Sequence, residues 1–595
     1  MTNLTVGREP VQVFEIEQPS CSNSYGVAPC TANGTNYCFN TRATCQDTAN
    51  YNQDATIFWR FSHAIDTIPF DDVTSTKAPV IPSLKSVSTQ PTVINAGGGS
   101  EDISVLGIRS SISVTLTDHT YDDSFSDKYP STRGYDPLTK GTFWGKFRAR
   151  NPYIINAVCR VYNGYLGQPL DQMVSRSYVI DKVNPPNSAG QVTITAKDPL
   201  KLAGDKLAQI PKVSDLQLVN AIDSTQTSGI TFVGTESDIS DQLGTTGTTR
   251  YLRLGDEILS YTGYTTASLQ YTLTGVTRAV LNTVADDHDT DDNGQRVVRY
   301  ENYPAWNIAK DAILNYSSVP SGYIDGVTWD DEGNTWLTPY YFTGTIVEPT
   351  SVVDIVAELG QQALFYIWWN ERTQKIDLKA LRPVTGAVRS VDGDSHILGN
   401  SVTLEEKPSQ RISRVAIYYN PQDPTVGEDE VSNYSNARIQ IDGEAESKFL
   451  YNESSTKIIY SRWINSEAQA LQVATRLLAA FVDTPKYLNF SIDAKDNDIN
   501  VADVINVTID QLQDQFGNSA SDLFQVISVN EVEYSHRLDL KLRQFTFQIA
   551  RAAYWTANEQ VDYTSASEPD KLTGNAWWSE SNGLMPGGDD GYKWS

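Results

Sequence analysis

Apolar and polar residues alternate with a period of two through much of this chain. Ile112–His119 (ISVTLTDH), Tyr178–Val183 (YVIDKV) and Gln191–Asp198 (QVTITAKD) are the cleanest cases. This period puts every second side chain on one face and predicts half-buried strands. Residues 10–17 (PVQVFEIE) alternate nearly as well and predict a strand with a bulge. ATIFWRFSHAID predicts another through Ile57, Trp59 and Phe61. The run PVIPSLKSVSTQPTVINAGGGS carries three prolines and three glycines, which predicts linker or edge structure. Gly141–Ile154 (GTFWGKFRARNPYI) reads as a strand with surface arginines, or as an aromatic and basic binding patch. Residues 214–300 hold short strand patterns (ITFVG, RYLRLGDEILSYTG, QYTLTGVTRAV) separated by turns, and predict a small β unit.

The period changes to that of a helix in two places. Val352, Ile355, Val356 and Leu359 recur at helical spacing after Ser351, with Gly360 as the expected end. Ser466 with Gln469 forms a capping-box pattern ahead of Ala470, Val473, Ala474, Leu477, Leu478 and Phe481, so a helix is expected over 466–482. Between them, QALFYIWWNERTQKIDLKAL predicts a hairpin turning at Asn370–Gln374, and RVAIYYN a strand. Four more strands are expected in YLNFSID, DVINVTI, FQVISVNEVEY and RLDLKLRQFTF. From 556 alternation ends, and the polar tail with Trp577, Trp578 and Trp594 reads as an extended arm. Such an arm docks on a neighbouring subunit or folds back on its own chain. The fold class expected is mainly β (α+β), multidomain, with several small barrels or sandwiches and a few helices.

Composition narrows the function. Hydrophobic residues make up 39% and aromatics 10% of 595 residues, which excludes a wholly disordered chain. A net charge of −27 argues against nucleic acid as a ligand, since phosphate binding needs a basic face. It leaves DNA open as passing cargo along an acidic wall, beside the plainer role of keeping the surface soluble. No basic start followed by an apolar run is present, and the most apolar stretch, Ala363–Trp369, is too short to span a bilayer. The expectation is a soluble chain made in a cytosol, which weighs against disulfides.

Chemistry concentrates in one stretch. Four of five cysteines, Cys21, Cys30, Cys38 and Cys45, follow C-x8-C-x7-C-x6-C among turn-forming Gly, Pro and Asn residues. So loop-rich a segment builds no core of its own and needs a staple. Two disulfides, a four-thiolate Zn²⁺ site and an iron–sulfur cluster all fit. Elsewhere the signals are weak. Cys159 lies in an apolar strand, where an inert buried thiol is expected. Asp289, Asp291, Asn293 and Gly294 match half of a calcium loop, but position twelve is Tyr300, so an acidic, solvated hairpin tip is expected ahead of a calcium site. Asp330, Asp331 and Glu332 offer paired carboxylates of the glycosidase kind, among 73 acidic residues. None of the five histidines is paired at metal-binding spacing, and no catalytic motif is present, so no enzyme is expected.

The order of CFNTRATCQDTANY, PVIPSLKSVSTQPT, VTLTDH, YDPLTKGTFWGKFRARNPY, VTITAKDPLKLAGDK, SRVAIYYNPQDPT and SRWIN, followed by a long helix and FQVISVNEVEY, resembles the baseplate hub or tail-tip hub proteins of long-tailed bacteriophages and gene transfer agents. The resemblance covers about residues 15–550. It implies a homotrimer in the virion tail tip, assembled in the host cytoplasm. That trimer adapts a sixfold tail tube to a threefold tip and lines or closes the channel for tape measure protein and DNA during genome ejection. Its partners would be the distal tail protein or tail tube and other tip or fibre proteins. The implied division is a four-cysteine segment (1–60), a hub β domain (61–213), an inserted β domain (214–300), an α+β hub domain (301–410), a second β hub domain with helix 466–482 (411–555) and the arm (556–595). In related lambdoid tail-tip proteins four cysteines hold an iron–sulfur cluster, which assigns Cys21, Cys30, Cys38 and Cys45 as cluster ligands, [4Fe–4S] first, with Zn²⁺ as the alternative. A receptor- or glycan-binding tail protein and an envelope-degrading tip enzyme are the competing functions.

Overall fold

A computed structural model describes residues 9–64, 77–95, 106–235, 239–244, 249–338, 340–384, 388–447, 450–493, 498–533 and 536–545, with three short strands beyond them. Strand accounts for 39% of residues and helix for 18%, so the fold is mainly β. The first eight strands are β1 (Pro10–Ser20), β2 (Ala55–Phe61), β3 (Lys77–Ile81), β4 (Leu84–Gln90), β5 (Ser111–Thr117), β6 (Val158–Tyr165), β7 (Val174–Val183) and β8 (Gln191–Lys197). They form one sheet in the order β3-β2-β1-β6-β7-β8-β5-β4. Its two end strands, β3 and β4, are joined by Pro82 and Ser83 alone. Leu84 N donates to Ser62 O at 3.0 Å and Thr117 N to Ser83 O at 2.8 Å. Both edges therefore meet at this corner, and the sheet closes into a barrel.

The alternation fills the barrel. Ile112, Val114 and Leu116 of β5 stand opposite Ala196, Ile194 and Val192 of β8, and all six are buried. Phe14, Ile16, Trp59, Phe61, Val161 and Ile180 join the same core. Helix α1 (Phe143–Arg150) packs Phe143, Trp144 and Phe147 into it, with the Trp59 and Phe143 rings edge to face at 5.2 Å. The strand expected over 141–154 is thus a helix. Aromatics favour strands, but positions 143, 144 and 147 share one helical face. The Thr142 hydroxyl caps it, accepting from Gly145 N at 3.3 Å. Arg150, expected at the surface, is 9% exposed.

Residues 214–300 build a second sheet. Asn293–Pro304 lies between Arg250–Leu254 and Leu216–Leu218 and continues to pair with Tyr341–Ile346. The largest core collects helices Ala305–Tyr316, Val352–Ala363 and Glu467–Phe481, the hairpin Phe365–Asn370/Lys375–Ala380 and the strand Arg414–Pro421. A six-stranded sheet, from Arg389–Asp392 to Arg537–Gln544, has its own core around Leu488, Val507, Phe524 and Leu540. The helix expected from Ser466 runs Glu467–Phe481, and all six of its expected core residues are buried.

Gly360 does not end its helix, which continues to Ala363. Phe365 O lies 2.9 Å from where a Gly360 Cβ would stand, so the glycine serves close packing, and Leu364 at φ 58° makes the stop. Among the described residues three further helices lay outside expectation, the shortest being Ile239–Leu243. Ala305–Tyr316 has a legible face of Ala305, Ile308, Ala309, Ala312 and Ile313. Gly326–Trp336 buries only Trp329 and Gly333, too few for a period. The arm expected over 556–595 lies outside the described residues, apart from Trp577–Ser579 and Tyr592–Lys593, which pair with each other. Among the described residues no helix is long and apolar enough to cross a membrane.

Candidate metal centre

The four-cysteine stretch is the connection between β1 and β2, which pair antiparallel from Ser20↔Ala55 onward. The strands fix both ends of the loop, and hydrogen bonds fold the rest back on itself. Cys21 N donates to Asn40 O at 2.7 Å and Ser22 N to Asn52 O at 2.9 Å. Asp47 accepts from Thr31 N at 2.6 Å and Thr31 Oγ1 at 2.9 Å, which holds its carboxyl below the usual range. Asn40 takes φ 57°, the left-handed turn that Asn tolerates.

This folding brings Cys21, Cys30, Cys38 and Cys45 around one cavity of about 10 Å³, walled also by Tyr25, Asn40 and Tyr51. All four are free thiols, Cys21 buried and the others half-buried. Burial pushes the Cys38 thiol up. The Asn40 backbone N–H pulls it down, and Cys45, Cys21 and Cys30 push it up again. Asn40 Oδ1 in the same wall is buried without a donor, an incomplete protein-only lining. Among the described residues no three His, Cys, Asp or Glu side chains converge tightly enough for a single metal ion. As the loop stands, the four thiols face a shared cavity of about one water's size without forming a single-ion site.

The remaining sequence candidates do not assemble into a site. Cys159 on β6 is fully buried, and burial drives its thiol far up. Asp330 accepts from Lys310 Nζ at 2.8 Å and Trp306 Nε1 at 3.2 Å, while Glu332 accepts from Arg382 Nε at 2.7 Å and Ala380 N at 3.0 Å. Both carboxylates are tied to neighbouring elements. Of the half calcium loop, residues 289–292, with Asp289 and Asp291 exposed, form a turn ahead of the strand Asn293–Pro304. Asn293 opens it, and Gly294 packs where a Cβ would meet Phe232 at 2.9 Å. Sequence reasoning missed a buried knot in the same unit. Glu257 accepts from Arg278 Nε and Nη2, each at 2.6 Å, and bonds His288 Nε2 at 3.0 Å.

No protein-family model and no curated protein matches the chain. Among solved structures it is similar to a tail protein from Neisseria meningitidis, with TM-score 0.33 and 10% identity over 77% of this chain and 97% of that one. It is similar to the 43 kDa tail protein of prophage MuSo2 from Shewanella oneidensis, with TM-score 0.32 and 10% identity over 77% and 97%. A chain of a native gene transfer agent virion gives TM-score 0.28 and 11% identity over 56% of this chain and 84% of that one.

Proposed function

We propose that the chain is a structural subunit of a bacteriophage tail tip. In this reading it is a homotrimeric baseplate hub that joins a sixfold tail tube to a threefold tip and lines or closes the channel for tape measure protein and DNA. The observation that carries it is the gathering of Cys21, Cys30, Cys38 and Cys45 around one cavity at the rim of a closed barrel. It falls where the sequence resembles such hubs. The architecture supports the same reading. The barrel and the six-stranded sheet are two of the chain's β bodies, beside the 214–300 sheet, and in this reading three copies present one of each to the sixfold tube. The net charge of −27 suits a passage that DNA crosses without binding.

In this proposal the four thiols hold an iron–sulfur cluster, [4Fe–4S], with zinc as the competing metal. A cluster gives each thiolate its own iron, which suits sulfurs that share a cavity without meeting at one point. Once bound, it supplies a cross-link among four points of a coreless loop. The chain's own residues do the rest. The Cys21 N–H donates to Asn40 O beside Cys38, and Asp47 with Thr31 holds the Cys30 side of the loop against the Cys45 side.

Antibody-gold labelling of virions, with copy number from quantitative mass spectrometry, tests the assignment. The reading predicts label at the tail tip alone and three copies per particle. Label along the tube, on fibres only, or absent from virions overturns it.

A further inference from the structure

The cysteine loop is fastened to a part of the chain that supplies none of its sulfurs. Residues 121–150 lie between β5 and β6, and Arg133 stands among them. Its Nε and Nη2 donate to the Asp127 carboxylate at 2.7 and 2.8 Å. Nη2 also donates to Cys38 O at 3.1 Å, and Nη1 donates to Tyr37 O. The same guanidinium covers the Phe39 ring at 3.9 Å, and Arg150 lies 3.8 Å from that ring. Arg150 is itself held by Asp123 at 2.8 Å and by Ser126 Oγ at 3.1 Å. Tyr37 stacks on Tyr129 with centroids 4.5 Å apart, and Tyr129 Oη accepts from Tyr25 N at 3.1 Å.

Three consecutive residues are therefore gripped from outside: Tyr37 by ring and carbonyl, Cys38 by its carbonyl, Phe39 by two cations. The Arg133 and Asp127 side chains are 9% and 2% exposed, so solvent scarcely competes for the pair. A planar five-donor fork can serve a carboxylate and two carbonyls in one fixed geometry, and an ammonium cannot.

We infer that Arg133 is the positioning residue of the four-thiol centre. Its fork, oriented by Asp127, seats Cys38 in the ligand set, and the Arg133–Phe39–Arg150 sandwich keeps the loop closed before metal arrives. The inference rests on the proposal that the four cysteines act as one ligand set, and it assigns residues 121–150 as the other half of that site.

The full chain is purified anaerobically as wild type, Arg133→Lys, Arg133→Met and Phe39→Leu. Metal loss to a chelator is followed, and so is thiol reaction with dithiobis-nitrobenzoate after the metal is stripped. Arg133→Lys keeps the charge without the fork, so it is expected to lose metal about 10–100-fold faster than wild type, as second-sphere changes do. Arg133→Met matches it, and Phe39→Leu shows a smaller increase. In the stripped proteins the variants' loop thiols react faster than those of wild type, while hydrogen exchange in β5 and β8 is unchanged. Wild-type metal retention in Arg133→Lys overturns the inference, as does equal thiol reactivity in all four proteins. A wild type that carries neither iron nor zinc removes the metal reading alone, and the thiol rates then decide the latch by themselves. If Arg133→Met does not fold, the lysine and Phe39 variants carry the test.

Discussion

Residues 214–300 bury Leu216, Phe232, Leu252, Leu259 and Tyr271 in a core of their own. Residues 21–54 bury Cys21, Tyr25, Asn40 and Thr41 and little else. Their charges sit differently. The first draws Glu257, Arg278 and His288 inside, and the Glu257 carboxylate also accepts Ala279 N at 3.0 Å and Asp286 N at 3.2 Å. The second keeps its charged Arg42 and Asp54 exposed and borrows Arg133 and Arg150 from beyond its own ends. A segment with a core can shelter its own ion pairs. One without a core leans on cations from outside.

Glu257→Gln strikes the self-sufficient unit hardest. It leaves Arg278 buried without a full charge partner and is expected to cost about 3–5 kcal/mol, read by chemical denaturation with hydrogen exchange across 214–300. Metal content of the cysteine loop stays at the wild-type value, and a parallel fall in it would break the comparison. Acid probes the same carboxylate. Burial alone would raise its pKa, but the bonds from Arg278 and His288 bring it down to about 2. The folded pKa lies below the unfolded one, so the stability it lends is present above about pH 4.5 and is lost as pH falls toward 2, a total of about 2–3 kcal/mol. In Glu257→Gln that part of the acid sensitivity is gone.

Two glycines sharpen the contrast at lower cost. A Cβ on Gly294 meets Phe232 at 2.9 Å and Leu252 at 3.2 Å, so Gly294→Ala overpacks the core by about 1–3 kcal/mol, seen in the unfolding midpoint of 214–300. Gly26 in the cysteine loop has φ +69° and a nearest neighbour, Ala32 O, at 3.3 Å. Gly26→Ala strains backbone rather than packing, by about 1–2 kcal/mol. It is expected to speed hydrogen exchange in residues 21–54 while leaving global unfolding unchanged.

Much of the fold was open to inspection along the chain, because strand alternation and the 466–482 period are local. Barrel strands β5, β7 and β8, the hairpin after Leu364 and the Ser466 cap all follow from neighbours within a few positions. Barrel closure does not, since it depends on Pro82 and Ser83 turning one edge onto the other. Helix α1 was misassigned because its three aromatics satisfy strand and helix alike. At the candidate centre the four cysteines were visible from spacing alone. Arg133 lies 95 positions from Cys38, and no local pattern couples them. Glu257 and Arg278, 21 positions apart on different strands and turns, were hidden for the same reason.

The most direct measurement is the visible absorption spectrum of the anaerobically purified chain, with iron, zinc and acid-labile sulfide assayed on the same sample. The account predicts a broad visible shoulder with about four iron and four sulfide per chain, lost together when Cys21, Cys30, Cys38 or Cys45 is replaced by serine. Zinc without sulfide, or four thiols free of any metal in the fresh protein, would contradict it.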